Sequence, residues 1–172
     1  GHDPVLADSP QPRTLLERAD VVVFSTPIRD TPAIIEAFAA LADGIESGQL
    51  WLDLTSVKQA SVQAMLGSCA EVAGLHPMAA PPKTATLKGH TMAVCRARLQ
   101  RWQPWLDVLL AALQADCVEI DPQAHDRAMA LVQGLVHAAH MAQATVLCEL
   151  AAGAGGLPGL HALRTTGHQL DL

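Results

Sequence analysis

The sequence predicts an α/β fold: a doubly wound sheet that gives way to a long helical segment. Three observations carry this. Short aliphatic and β-branched runs alternate with amphipathic stretches as far as Ile120. The runs are bounded by Pro, Gly and hydroxyl residues, as buried parallel strands are. After Asp121-Pro122 the alternation stops, and apolar residues recur at three and four with no turn signal except Gly134.

Ala19-Asp20-Val21-Val22-Val23-Phe24-Ser25-Thr26-Pro27 reads as a buried parallel strand, short, β-branched and stopped by Pro. A helix follows, with Thr31 as its N-cap and Pro32 at its first helical position. Ile34, Ile35, Phe38 and Leu41 give it an apolar face, and Gly44 and Gly48 close it and the next turn. Gln49 to Leu54 is the second strand, Ser56 to Leu66 a helix ended by Gly67, and Glu71 to Leu75 the third strand. Residues 79–90, with Pro81, Pro82 and Gly89, read as an irregular loop. Thr91 to Cys95 is a strand, Leu99 to Ala115 a helix, and Cys117 to Ile120 the last strand. Gln123 to Leu150 reads as one long helix, ended by Gly153-Ala154-Gly155-Gly156, with a short helix near Leu157–Leu163 after it.

Composition bounds the function. With 50% hydrophobic and 16% charged residues, the chain buries a sizeable core. It has no Tyr and few aromatics, so Ala and Leu carry the packing, which favours helices. A net charge of -6 argues against a nucleic-acid surface, which needs a basic face. No apolar run reaches the ~18 residues of a membrane span. The polar, Pro-rich N-terminus does not read as a signal peptide, so the expected compartment is the cytoplasm. Cys69, Cys95, Cys117 and Cys148 form no C-x-x-C pair and are expected as buried free thiols.

Chemistry concentrates at two strand ends. Leu50 to Leu54 runs into Thr55-Ser56-Val57-Lys58, and Glu71 to Leu75 runs into His76-Pro77. A hydroxyl, an ammonium and an imidazole thus meet where parallel sheets bind ligands, at the carboxyl ends of strands. His76 is a ready base near neutral pH, and Pro77 fixes the backbone behind it. Its bland alternative is a core histidine. Ser56 and Lys58 either cap the next helix or serve the site, Ser56 by orienting a ligand or His76, Lys58 by offering charge to an anion. His125-Asp126 falls in the first turn of the long helix, where Asp suits the helix dipole and a structural role. His137 and His140 lie three apart on that helix, but no carboxylate completes a metal set, so one of them lines a pocket and no metal is expected. The Gly153–Gly156 run follows a helix and lacks G-x-G-x-x-G spacing, which makes it a terminator and not a phosphate loop.

Four stretches together resemble the prephenate dehydrogenase family: Ala19-Asp-Val-Val-Val-Phe-Ser-Thr-Pro-Ile28, Asp53-Leu-Thr-Ser-Val-Lys58, Gly74-Leu-His-Pro-Met78 and Ala124-His-Asp-Arg-Ala-Met-Ala-Leu-Val-Gln-Gly-Leu-Val-His137. The resemblance covers most of the chain in the family's order. It implies a partial Rossmann-type domain over residues 1–120, lacking its first βαβ unit, and over 121–172 the start of an all-helical domain that forms a homodimer. It implies oxidative decarboxylation of prephenate to 4-hydroxyphenylpyruvate in tyrosine biosynthesis, with hydride passing to NAD or NADP. Arogenate dehydrogenase is the close variant, and a non-catalytic regulatory or oligomerisation module is the alternative from another class. By resemblance His76 takes the proton of the substrate's ring hydroxyl, Ser56 helps place the histidine, nicotinamide and substrate, and Lys58 belongs to the same motif. His137 faces the substrate region. Ser25, Thr26, Pro27 and Ser56 contact the cofactor.

Three departures bear on this. The G-x-G-x-x-G loop, which lets backbone approach a pyrophosphate, is not in these 172 residues. Gly1-His2-Asp3-Pro4 resembles the family's segment just past the second strand, where Asp3 would bind the ribose 2′-hydroxyl and favour NAD by repelling a 2′-phosphate. The other reading takes Gly1-His2 as a cloning remnant and Asp3 as a loop residue. The family's carboxylate-binding arginine is also missing, and Ala79-Ala80-Pro81-Pro82 departs from the usual loop after the histidine. The 172 residues in isolation are expected to be inactive.

Overall fold

The computed structural model describes residues 11–79 and 86–150, with Gly153 and Gly156. Asp3, the loop residues 80–85 and the helix expected near Leu157–Leu163 lie outside the described residues. The chain divides into two compact units, Gly1–Asp126 and Arg127–Leu172.

The first unit is a five-stranded sheet in the order β1-β2-β3-β4-β5. The strands are β1 (Val21–Phe24), β2 (Leu50–Asp53), β3 (Glu71–Pro77), β4 (Thr91–Arg98) and β5 (Asp116–Glu119). The helices around it are α1 (Pro12–Arg18), α2 (Thr31–Ala42), α3 (Gln59–Leu66) and α4 (Gln103–Leu113), with α5 (Pro122–Met129) leaving the sheet. Alternation along the strands separates two cores. Trp51 and Val72 join Phe24, Ile35, Val62 and Met65 on the face covered by α1, α2 and α3. Leu50, Leu52, Ala73 and Leu75 join Leu106 and Leu110 of α4 on the other. Helices on both faces of one sheet are the doubly wound arrangement expected.

One pairing departs from a fully parallel sheet. β1, β2 and β3 are parallel, as are β4 and β5, but β3 and β4 are antiparallel. Residues 78–90, rich in Pro and without a helical apolar pattern, join Pro77 to Thr91, whereas parallel neighbours are joined by a crossover that is usually a helix.

Two helices start later than their sequence pattern suggests, because carboxylates capture the preceding amides. Glu71 accepts from the backbone N–H of Gln100, Arg101 and Trp102, which delays α4 to Gln103. Asp53 Oδ1 accepts from Thr55 N and Oγ1 and folds 53–58 into a turn before α3. Thr31, expected as a cap, is instead fully buried in the first turn of α2, its hydroxyl 2.7 Å from that of Thr26.

The expected long helix is present but not uniform. Between α5 and α6 (Leu135–Leu150), residues Ala130–Gly134 form a π-helical turn. In the second unit Leu131, Leu135, Met141 and Leu150 are exposed. The expectation of four buried thiols holds only for Cys95. Cys69 lies in a turn, Cys117 on strand β5, whose four residues are all exposed, and Cys148 on an exposed face of α6. Among the described residues no helix is long and apolar enough to cross a membrane, and no group of His, Cys, Asp and Glu is suited to hold a metal ion.

Candidate active site

The carboxyl ends of β1, β2 and β3 reach one edge of the sheet together, since Phe24 pairs with Asp53 and Asp53 with Gly74. Ser25–Pro27, the turn 54–58 and His76 therefore share that edge. His76 sits deeper than a surface base would. It is 4% exposed, near the end of β3 and paired to Ala93 of β4.

A chain of three side chains leads away from His76. Its Nδ1 lies 3.0 Å from His125 Nε2, with the rings edge to face. His125 Nδ1 lies 2.8 Å from Asp126 Oδ1. The Asp126 carboxylate also accepts from the N–H of Lys58 at 2.7 Å (Oδ1) and of Gln59 at 2.9 Å (Oδ2). It thus satisfies amides at the start of α3 from another element, where negative charge suits the helix dipole. Asp121 holds the pair in place. Its carboxylate accepts from Gln123 and Ala124 N–H at the start of α5, and its carbonyl accepts from His125 N–H.

Electrostatics keep His76 neutral. Burial first, then the unfavourable electrostatics of the neighbouring His125 and Lys58, push its pKa down to about 4, against a smaller opposing pull from Asp126. Burial alone would raise Asp126, but the hydrogen bonds from Lys58, His125 and Gln59 outweigh it and hold the carboxyl below its ordinary value. Burial also pushes the Cys95 thiol up to about 11, so it is not a thiolate nucleophile. Among the described residues His76 Nε2 makes no hydrogen bond.

Lys58 does not do what its charge suggested. Its side chain is fully buried, and its ammonium donates to the Asp53 carboxylate, the Asp53 carbonyl and the Leu75 carbonyl. Burial pulls its pKa below the usual lysine value, and Asp53 opposes that pull. It is a tie beneath the site with no charge to spare for an anion. Gly74 makes room for it: a Cβ there would lie 2.8 Å from Val62 Cγ2 and 3.1 Å from Lys58 Cδ.

Ser56 is exposed in the turn and caps nothing, because α3 begins at Gln59. The bond that orients His76 comes from His125 and not from Ser56. Ser25 is likewise exposed, whereas the Thr26 hydroxyl is taken by Thr31 and the Pro27 carbonyl accepts from Asp30 and Thr31 N–H. His137 lies exposed on α6 in the second unit. The sequence reading missed His125 as the partner of His76. The stretch containing it was visible, but no spacing rule connects residues 49 positions apart.

The family model described as the prephenate dehydrogenase nucleotide-binding domain matches residues 5–96. The chain belongs to the prephenate dehydrogenase family. A T-protein of Enterobacter agglomerans is 33% identical over 143 residues, covering 83% of this chain and 37% of the relative. A probable arogenate/prephenate dehydrogenase of Methanocaldococcus jannaschii is 29% identical over 140 residues, covering 78% of this chain and 30% of the relative. The chain thus spans about a third of the length of these curated family members. The crystal structure of prephenate dehydrogenase from Aquifex aeolicus in complex with hydroxyphenyl propionate and NAD+ shares the fold, with a TM-score of 0.67 at 18% identity over 81% of this chain and 52% of that one.

Proposed function

We propose that the protein carries out NAD-dependent oxidative decarboxylation of prephenate, or of its amino analogue arogenate, in the cytoplasm as part of tyrosine biosynthesis. One observation carries this reading: a buried neutral imidazole, His76, at the carboxyl edge of a doubly wound sheet, with one nitrogen held by His125 and the other making no hydrogen bond among the described residues. Family membership and the NAD+ complex of the Aquifex aeolicus enzyme support it.

The edge suits the nicotinamide end of the dinucleotide. Ser25 and Ser56 offer exposed hydroxyls there, and the backbone of Thr26 and Pro27 lines the turn between them and α2. Asp3 would hold the ribose. The glycine-rich phosphate cradle is not in these 172 residues, so they fit the nicotinamide side of the cofactor and not its pyrophosphate. When bound, NAD supplies the hydride acceptor.

His76 Nε2 would accept the proton of the ring hydroxyl as hydride leaves the same carbon; the ring carboxylate then departs as carbon dioxide, its electron pair passes into the ring to make it aromatic, and the ring oxygen takes the proton back from His76. Burial keeps His76 unprotonated and free to accept, and it also weakens the base, since the desolvation that pushes its pKa down to about 4 disfavours the imidazolium that forms. Ser56 places the substrate or nicotinamide, and His137 stands as a substrate-binding residue on the family resemblance alone. The helical unit forms the homodimer, which would cover Leu131, Leu135, Met141 and Leu150.

The test is substrate-dependent reduction of NAD by the complete protein, with carbon dioxide release measured in parallel. Equal formation of the two products supports the reading. Turnover of neither prephenate nor arogenate overturns it. The ratio of kcat/KM for the two substrates assigns the side chain, and sedimentation of the complete protein checks the dimer.

A further inference from the structure

We propose that His125 and Asp126 are positioning residues that hold His76 in the tautomer with hydrogen on Nδ1, leaving Nε2 as the basic nitrogen. This rests on the reading of His76 as the base.

Donor and acceptor roles follow from the carboxylate end. An ionised carboxylate only accepts hydrogen bonds. Asp126 is locked in place by the amides of Lys58 and Gln59, so it cannot turn away from its third partner. His125 Nδ1, 2.8 Å from Asp126 Oδ1, therefore carries hydrogen. The neutral ring then has its lone pair on Nε2, which faces His76 Nδ1 at 3.0 Å. A second lone pair at that distance would be repulsive, so His76 Nδ1 carries hydrogen as well. With His125 neutral, any other assignment leaves two like groups facing each other between buried rings, whereas a doubly protonated His125 would donate to His76 Nδ1 and put the hydrogen of His76 on Nε2.

Both rings are buried: His125 is 1% exposed and His76 4%. The other charged group behind His76 is Lys58, whose ammonium is already committed to Asp53 and the Leu75 carbonyl. It offers no competing acceptor to Nδ1.

The same arrangement serves the protonated state. When Nε2 takes a proton, His76 becomes an imidazolium that still donates Nδ1–H to His125. The charge then faces a line of acceptors that ends on a carboxylate. Asp126 does not itself need to be protonated. It sets orientation and tautomer, as the buried carboxylate of a serine hydrolase triad does for its histidine. Because that carboxylate also holds the start of α3, the turn 53–58 and His76 are fixed by one group.

The test uses the complete protein with nitrogen-15 histidine, read by NMR, with kinetics alongside. In the wild type His76 should show a protonated Nδ1 and a bare Nε2. Asp126→Asn keeps an oxygen for Lys58 N–H and His125 Nδ1–H, so the tautomer should persist, while the lost negative charge removes the support for the His76 imidazolium. Its kcat should fall by roughly a hundredfold or more, with KM for NAD changed by less than about twofold. His125→Gln keeps an oxygen that Nδ1–H can reach, and His125→Leu does not, so Gln should retain about tenfold more kcat than Leu. Asp126→Asn also disturbs α3. If that variant fails to fold, the wild-type spectrum and the Gln and Leu pair decide. A wild-type His76 protonated on Nε2 overturns the proposal, as does equal kcat in His125→Gln and His125→Leu. The spectrum needs no substrate. A correct tautomer without turnover of prephenate or arogenate would therefore reject the function above and leave the tautomer assignment standing.

Discussion

The Lys58 ammonium donates to the Leu75 carbonyl across 2.8 Å, one peptide before His76. The same nitrogen holds the Asp53 carboxylate, so one buried cation ties the end of β2 to the end of β3. A charge in this position fixes backbone and leaves the chemistry to its neighbour.

Removing that cation alone should be severe. Lys58→Met leaves Asp53 buried and unpaired, which costs about 3–5 kcal/mol. Lys58→Met combined with Asp53→Asn removes the orphan charge while keeping an acceptor for Thr55, and should recover a good part of the loss. Urea unfolding of both variants checks this. A double variant no more stable than the single would show that the pair's charge is not what matters.

Replacing the base should separate chemistry from binding. His76→Asn in the complete protein should lower kcat by about 10²–10⁴ while nucleotide affinity stays nearly constant. Steady-state kinetics with calorimetric NAD titration reads both quantities. Near-normal turnover in this variant would remove His76 from its role.

Gly74 should be intolerant of even one carbon. Its Cβ would lie 2.8 Å from Val62 Cγ2 and press on Lys58 Cδ. Gly74→Ala should cost roughly 1–3 kcal/mol from overpacking. Val62→Ala in the same chain relieves the closer contact, so the double variant should be more stable than the sum of the single losses predicts. Additive losses would mean that the strand moves as a whole to admit the methyl group.

Stability should rise with pH through the histidine range. His76 titrates near 4 in the fold, against an ordinary value of 6.5. Between those values the unfolded chain binds the proton and the native state does not, so the contribution is full above the unfolded value and is lost as pH falls toward the folded one. Its size is at most about 3.5 kcal/mol. Asp126, held below its ordinary 3.8, adds a further loss only at more acidic pH. The charged and titratable neighbours of His76 are His125, Lys58 and Asp126, so urea midpoints for His76→Gln, compared with wild type from neutral to mildly acidic pH, isolate its share. An unchanged slope would assign the dependence to another group.

Much of this molecule was legible without coordinates. Short apolar runs such as Leu50-Trp51-Leu52 marked strands buried on both faces, and His76-Pro77 marked a strand end with an imidazole on it. These are local signals, because side-chain alternation and Pro act on neighbouring residues. The antiparallel turn into β4 was not legible, since strand direction depends on the path of the whole connection.

The sequence by itself therefore determined the layered α/β plan, the strand ends that carry the site, and the four ordered stretches that mark the family. Tertiary structure alone decided what each polar side chain does. It buried Lys58 against Asp53, left Ser56 exposed, and brought His125 and Asp126 to His76 across the chain. The physical reason is range. Periodicity and capping are set within a turn or a strand, whereas a buried charge or imidazole takes whichever partner the packed interior supplies, at any distance along the sequence.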